Sequence, residues 1–355
     1  MADISKVNNI ALSSINKISG IAKSSIGKLF GQTIPSAYTS ANSIAFDGTN
    51  DYGEAALTCP TTTGSVSLWF KMGTTIGTDI LFHWHDYNNT TTNGIDIRIA
   101  NISTSPAAKS LMAIYRGDGV LNCCVAKSSS THHGTGMTRW KYNHDDVGYD
   151  HIWPAFEYNA NKLLAPGSHS YSPSEGGEHG WHHIVVTWDV NEVYTGKDAQ
   201  SAHKFRPTAS NDGTTTNHTG TMRLYMDGTL RNFGGSLYPS HNYQRTPSGM
   251  TEINATVDKV RVGSYGNDGS HVTANISDVS VFDTNIDADA VTAMYNSGVP
   301  TDLTSNSGDY DYASNLIGYW KFQEGSGTTI ADDSTNSNDL TLYNSPAWDN
   351  GDAPS

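Results

Sequence analysis

The chain has 355 residues, of which only 16% are charged, against roughly a quarter in an average soluble domain. A formal charge of −14 excludes a bulk nucleic-acid binder, because phosphate recruits Lys and Arg, and no run approaches the roughly 18 apolar residues of a membrane-spanning helix. With 34 Gly, 18 Tyr and 8 Trp, the composition fits short strands and turns around an aromatic core better than salt-bridged helices.

Residues 4–31 repeat every eleven positions. Ile4, Ile15 and Ile26 are equivalent, as are Lys6, Lys17 and Lys28, then Val7, Ile18 and Leu29, then Ile10 and Ile21. A period of eleven fits an amphipathic helix, whereas Asn8-Asn9, Ser19-Gly20 and Phe30-Gly31, recurring at one phase, fit a repeated turn. Both conformations stay open. So few repeats cannot bury their own apolar stripe, so an arm over residues 1–35 is expected to dock on another protein or on copies of itself. A flexible tail is the blander alternative. The arm carries four Lys and one Asp, net +3, which leaves −17 of the total −14 on the rest of the chain. Those lysines interrupt every candidate apolar core of a secretory leader, so no signal peptide is expected. Cys59 and the vicinal Cys123 and Cys124 make no disulfide framework, which fits assembly in a reducing cytoplasm.

From about residue 36 the texture becomes β-type. Ser43–Phe46, Ser65–Lys71, Ile95–Ile99, Ser110–Tyr115, His183–Trp188, Met222–Met226, Lys259–Val262 and Asp278–Phe282 alternate or are β-branched, and each predicts a strand. Asp47-Gly48, Asp118-Gly119, Asp227-Gly228 and Asp268-Gly269 mark turns, the third closing a hairpin between Tyr225 and Leu230. One helix is predicted from Asp287 to Ser297. Asp287 caps it, Val291, Met294 and Tyr295 share a face, and Gly298 with Pro300 ends it. Many strands with one late helix predict an all-β, antiparallel β-sandwich of the jelly-roll type. Trp69, Trp181 and Trp188 are expected as core pillars, and His182 and His183 as strand residues rather than ligands.

The segments SIAFDGTNDYGEA (43–55), SVSLWFKM (65–72), GWHHIVVTWD (180–189), MRLYMDGTL (222–230), VRVGSYG (261 onward) and ISDVSVFDTNIDADAVTAMYNSG (276–298) follow one another in order. In that order they resemble laminin-G-like jelly rolls of the concanavalin A-like lectin/glucanase superfamily. LIGYWKFQEGSGTTIADDSTNSNDLTLYNSPAW (316–348) resembles a further piece of that family, displaced to the chain's end. The resemblance implies a jelly roll over 36–300, an aromatic and His-rich insertion at about 128–180, and an extension over 301–355 packing on the sandwich. Ile4-Ser5-Lys6-Val7-Asn8-Asn9, with Gly318-Tyr319-Trp320 and Asp333-Ser334-x-Asn336-x-Asn338, also resembles virion structural proteins of marine tailed bacteriophages.

Glycoside hydrolysis needs two facing carboxylates. Ile95-Asp96-Ile97-Arg98 offers one acid followed by an arginine, and Glu175 and Glu178 sit in a Gly-rich loop, so no catalytic residue is expected. Asp332, Asp333, Asn336 and Asn338 form one oxygen-rich cluster and Asp47, Asn50 and Asp51 another. Either could hold calcium, or be an Asx-rich turn bonding its own backbone; no cofactor is required. Trp140, Tyr142, Tyr149, Trp153 and Tyr158 suit an interface, a self-packed loop or a glycan site. Zinc at His132, His133, His144 and His151 is discounted on spacing.

The leading expectation is a non-enzymatic bacteriophage virion structural protein, a decoration, fibre or spike component. It would attach to other virion proteins through residues 1–31 and form a homo-oligomer, a trimer being favoured. It would be assembled in the host cytoplasm and displayed on the virion surface. A carbohydrate-binding adhesin for host-surface glycans is the alternative, and a polysaccharide-cleaving enzyme the third reading.

Overall fold

The computed structural model describes residues 6–7, 10–11, 17–18, 21–22, 28–29, 32–33, 38–72, 79–86, 89–104, 107–117, 120–125, 138–140, 151–155, 180–197, 215–234, 252–266 and 270–354. In the arm, β1 (Lys6–Val7) pairs with β2 (Ile10–Ala11), β3 (Lys17–Ile18) with β4 (Ile21–Ala22), and β5 (Lys28–Leu29) with β6 (Gln32–Thr33). The period of eleven is thus the period of a β-hairpin. Val7 faces Ile10, Ile18 faces Ile21 and Leu29 faces Gln32, so two residues separate the strands of each pair. The turn alternative holds over the helical one, because a two-residue Asn- or Gly-bearing link favours a hairpin, helped in the first two repeats by the β-branched residues that flank it. Ile4, Ile15 and Ile26 lie outside the described residues; Val7, Ile10, Ile18, Ile21 and Leu29 are described by their backbone.

The body begins with β7 (Asn42–Asp47), β8 (Tyr52–Ala56), β9 (Thr63–Met72), β10 (Asp79–Asp86), β11 (Asn89–Thr104), β12 (Ala107–Gly117) and β13 (Val120–Val125). A small ribbon, β14 (Thr138–Trp140) with β15 (His151–Ala155), precedes β16 (His182–Lys197), β17 (Thr215–Met226) and β18 (Thr229–Gly234). Then come β19 (Lys259–Val262), β20 (Thr273–Phe282), the helix α1 (Ala288–Tyr295) and β21 (Leu316–Trp320). The last strands are β22 (Thr329–Ile330), β23 (Leu340–Tyr343) and β24 (Ala347–Asn350).

These strands form an antiparallel sandwich. The first sheet runs β13-β12-β11-β10-β19-β8-β23-β22; the second runs β18-β17-β16-β9-β20-β7-β24, with β21 added beside β20. Residues 316–350 supply strands to both sheets of their own chain. Between the sheets lies one apolar cluster that includes Ile44, Phe70, Phe82, Trp84, Ile97, Trp188, Val260, Ile276 and Trp320.

A second, smaller core lies on the outer face of the second sheet. Ala290, Val291 and Met294 of α1 pack there with Val185, Tyr225, Phe282, Tyr310 and Tyr319. The helix starts where predicted, since the Asp287 side chain accepts from the Ala290 amide at 2.8 Å, and it ends on a left-handed Asn296. This outer layer explains why β9 is buried on both faces although Ser65, Ser67 and Lys71 alternate with its apolar residues. In β20 the burial alternates through Ile276 and becomes continuous from there on, where β21 and the helix layer cover it.

The three expected pillars part company. Trp188 is fully buried between the sheets. Trp69 is buried on the opposite face of its sheet, its ring 4.8 Å from His183 and 5.8 Å from Tyr295. Trp181 is half-buried at a sheet margin; its Nε1 donates to Asp352 at 3.1 Å and the Lys71 ammonium lies 5.8 Å from its ring, so it is no core pillar. A long-range partner near the C-terminus holds it, and no local pattern encodes that. The Asp227-Gly228 turn forms as expected, with φ of 51° and 70°. The Asp227 carboxylate accepts from the His183 amide at 3.0 Å and pairs with His182 Nδ1 at 2.9 Å, pinning the hairpin to β16.

Candidate functional site

Strand alternation sends one set of side chains into the core and the other to the outer face of the first sheet. On β10, Phe82 and Trp84 point inward while His83 and His85 point out; on β11, Ile95 and Ile97 point inward while Asp96 and Arg98 point out. On β19 and β8 the outward residues are Lys259, Arg261, Tyr52 and Glu54, and on β23 they are Thr341 and Tyr343. The register brings Thr341, Glu54, Arg261, His83 and Asp96 into one cross-strand row.

Within the row, Arg261 Nε donates to Glu54 Oε2 at 2.7 Å, and Lys259 Nζ lies 3.6 Å from Glu54 Oε1. The Arg261 guanidinium sits 4.1 Å from the Tyr52 ring centroid, and Tyr52 stacks on Tyr343 at 4.7 Å and 13°. This arginine–tyrosine–tyrosine ladder climbs from a buried Arg261 to Tyr343, which is 41% exposed. At the other end, the His83 ring lies between Tyr265 (4.1 Å) and His85 (4.7 Å), and Arg98 reaches over Tyr265 while donating to Asp96. The Gly266 amide donates to His83 Nδ1 at 3.0 Å, which puts the proton of a neutral ring on Nε2. His85 donates from Nδ1 to the Asp86 carbonyl at 3.2 Å, so its Nε2 is an acceptor, buried and without a hydrogen-bond partner among the described residues. Burial lowers the His85 pKa, which keeps the ring neutral.

Glu54 and Asp96 are each engaged by an arginine and stand three strand spacings apart, about 14 Å at the usual interstrand distance. Paired glycosidase carboxylates stand about 5–10 Å apart. Stacked tyrosines with an arginine behind them present an amphipathic face that suits a planar or sugar-like ligand.

The residues singled out from sequence lie elsewhere. Asp332 Oδ1 accepts from the Tyr319 and Ser334 amides at 2.8 and 2.9 Å, and Oδ2 accepts from Ser334 Oγ and the Asn338 amide at 2.9 and 2.8 Å. Asn336 donates to the Ile317 carbonyl, and Asp333 lies 3.4 Å from Lys321 Nζ. A cation there would have to displace N–H and O–H donors from every Asp332 lone pair used. Around Asp47 the same holds: its Oδ1 accepts from the Thr49 amide at 2.7 Å, and Asn50 accepts at its carbonyl from Asn344. Among the described residues, no group of three or more His, Cys, Asp or Glu converges as cation ligands would. Trp140 and Trp153 lie on the β14–β15 ribbon, described by backbone; Tyr142, Tyr149 and Tyr158 lie outside the described residues.

Sequence reading passed over the outward row of the first sheet. Its signal was the alternation in Tyr52-Gly53-Glu54-Ala55, Phe82-His83-Trp84-His85 and Lys259-Val260-Arg261-Val262, where a polar or aromatic residue follows each inward one.

No family model matches the sequence, and no curated protein matches it. Similar solved structures include a Bacteroides ovatus protein proposed to bind carbohydrate (14% identity, TM-score 0.47), matched over 93% of this chain and 67% of that one. A heptameric SAP-like pentraxin from Limulus polyphemus is matched at 13% identity and TM-score 0.35, over 85% of this chain and 94% of that one. Tailspike protein 2 of the Escherichia coli O157:H7 bacteriophage CAB120 is matched at 11% identity and TM-score 0.41, over 81% of this chain and 30% of that one. At such identities and scores, none of these likenesses extends a function to this chain. No helix among the described residues is long and apolar enough to cross a membrane.

Proposed function

We propose that this chain is a non-enzymatic structural protein of a tailed-bacteriophage particle. It presents a lectin-like sandwich outward, is attached to other virion proteins through residues 1–31, works as a homo-oligomer and needs no cofactor. The observation that carries this reading is the arm. It forms three hairpins at an eleven-residue spacing, each strand two residues long. A single two-stranded hairpin is marginal in water at best, so such units gain their stability from a surface that covers them. The phage assignment rests on the resemblance of the repeat and of the 318–338 stretch.

The test is deletion of residues 1–31. The truncated chain is expected to keep its β-type circular dichroism and its cooperative thermal transition, yet to fall at least tenfold in incorporation into particles. Normal incorporation of the folded truncation overturns the docking role.

A second reading, glycan recognition, is favoured by the Arg261–Tyr52–Tyr343 ladder. If sugars stack on its exposed end, Tyr343→Ala lowers glycan-array binding by roughly tenfold, from the loss of about 1–1.5 kcal/mol of aromatic contact. Binding that is unchanged in Tyr343→Ala, or lost only in Trp140→Ala or Trp153→Ala, places recognition on the insertion instead.

A further inference from the structure

At Ser277-Asp278, β20 changes neighbours. Residues 273–276 pair with β7 and residues 279–282 with β21, and the register against β9 slips between Ser277 and Ser280. Asp278 sits in that slip with φ +49°, a left-handed backbone that residues with a side chain rarely adopt and that tends to mark functional positions. Its carboxylate is buried and receives four hydroxyls: Tyr38 at 2.5 Å, Ser40 at 2.9 Å, Ser277 at 2.9 Å and Tyr319 at 3.2 Å. Two of these come from the segment that leads out of the arm. Gln323 holds the same segment, accepting the Ala41 amide at 2.8 Å and donating to Ser40 Oγ at 3.1 Å.

We propose that Asp278 is a proton-operated latch that fastens the junction between arm and sandwich, residues 38–41, to β20 and β21. The titratable and charged groups around it are Tyr38 from the junction, Tyr319 from β21, and Lys321. The Lys321 ammonium lies over the two tyrosine rings at 5.3 and 5.2 Å and pairs with Asp302 and Asp333, not with Asp278. No described cation pairs with Asp278, and burial outweighs the four hydroxyls, which favour the carboxylate, so its carboxyl is pushed up to about 6 from an ordinary 3.8.

The sign follows from the proton count. Between pH 4 and pH 6 the closed junction holds a proton that a water-exposed Asp278 would release. Falling pH therefore closes the junction and rising pH loosens it. The gap between about 6 and 3.8 makes the opening equilibrium about fiftyfold larger at pH 7 than at pH 4.

Hydrogen exchange at the Ala41 amide of the full-length chain, corrected for intrinsic chemistry, reads this opening directly. Protection is expected to fall about fiftyfold from pH 4 to pH 7, without a matching fall at the core amide of Leu68. In Asp278→Asn, an uncharged isostere, Ala41 protection is expected to be flat with pH. Tyr38→Phe, which removes one junction hydroxyl, should lower protection at every pH and keep the pH dependence. Wild-type protection that ignores pH, or pH dependence that survives in Asp278→Asn, overturns the latch, as does a Tyr38→Phe chain identical to wild type. Should Asp278→Asn fail to fold, an Asp278 carboxyl that titrates near 4 by carbon NMR overturns it equally.

Discussion

Replacing Trp188 with alanine is expected to lower the unfolding free energy by about 3–5 kcal/mol, the usual loss when a buried indole leaves a cavity that its neighbours only partly fill. Trp188 is fully buried, edge-on to Trp84 at 6.4 Å and 85°, and tilted against Tyr115. Its cross-strand partner on β9 is Gly64, and the indole lies across that glycine. A Cβ at Gly64 would fall 2.3 Å from Trp188 Cζ2 and 3.0 Å from the Phe282 carbonyl oxygen. Gly64 is thus a matter of space, and Gly64→Ala alone should cost about 1–3 kcal/mol through overpacking. With the indole gone, most of that clash disappears. The double variant is expected to be less destabilised than the sum of the singles by about 1 kcal/mol or more, measured by urea denaturation. Strict additivity would mean that the glycine is there for some other reason. The Trp188 Nε1–H has no hydrogen-bond partner among the described residues, so Trp188→Phe should cost well under the alanine variant.

The sandwich was legible because its strands carry their signal locally. Lys259–Val262 and Met222–Met226 alternate or are β-branched within a few residues, and Asp227-Gly228 supplies the left-handed pair that a tight hairpin demands. What stayed hidden depends on partners far along the chain. Val66, Leu68, Phe70 and Met72 alternate with Ser65, Ser67, Trp69 and Lys71, which puts Trp69 on the face away from the main core, but nothing local says that a helix more than two hundred residues later covers it there. The arm was ambiguous because a period of eleven suits a helix and a hairpin equally, and strand register decides. The candidate site was missed for a related reason. Glu54, Arg261, His83 and Asp96 are unremarkable on four separate strands, and only their cross-strand register makes them a row. The Asp332 turn shows the reverse: a local cluster of oxygens looked ligand-like, while its lone pairs were already committed to nearby amides and a hydroxyl.

Between pH 6.5 and pH 4 the stability of the wild-type chain carries two opposed contributions, and single substitutions should expose each. His183 is fully buried, with Nε2 2.7 Å from Ser67 Oγ and its ring packed beside those of Trp69 and Tyr295. Burial pushes its pKa down to about 4 from 6.5, with Asp227 opposing. Below pH 6.5 the unfolded chain takes up a proton that the folded chain refuses, so this residue withdraws about 3 kcal/mol of stability as pH falls to 4. Asp278, pushed up to about 6, does the opposite: the folded chain takes the proton first, adding about 2 kcal/mol over the same descent. Asp278→Asn deletes the gain, so its stability relative to wild type should fall by about 2 kcal/mol from pH 6.5 to pH 4. His183→Gln, which keeps a donor for Ser67, should rise relative to wild type by a similar amount. Taking each variant against wild type at every pH cancels the remaining carboxylates, and urea midpoints at half-unit steps provide the measurement. If both differences stay constant with pH, neither group titrates in the folded chain as its burial requires.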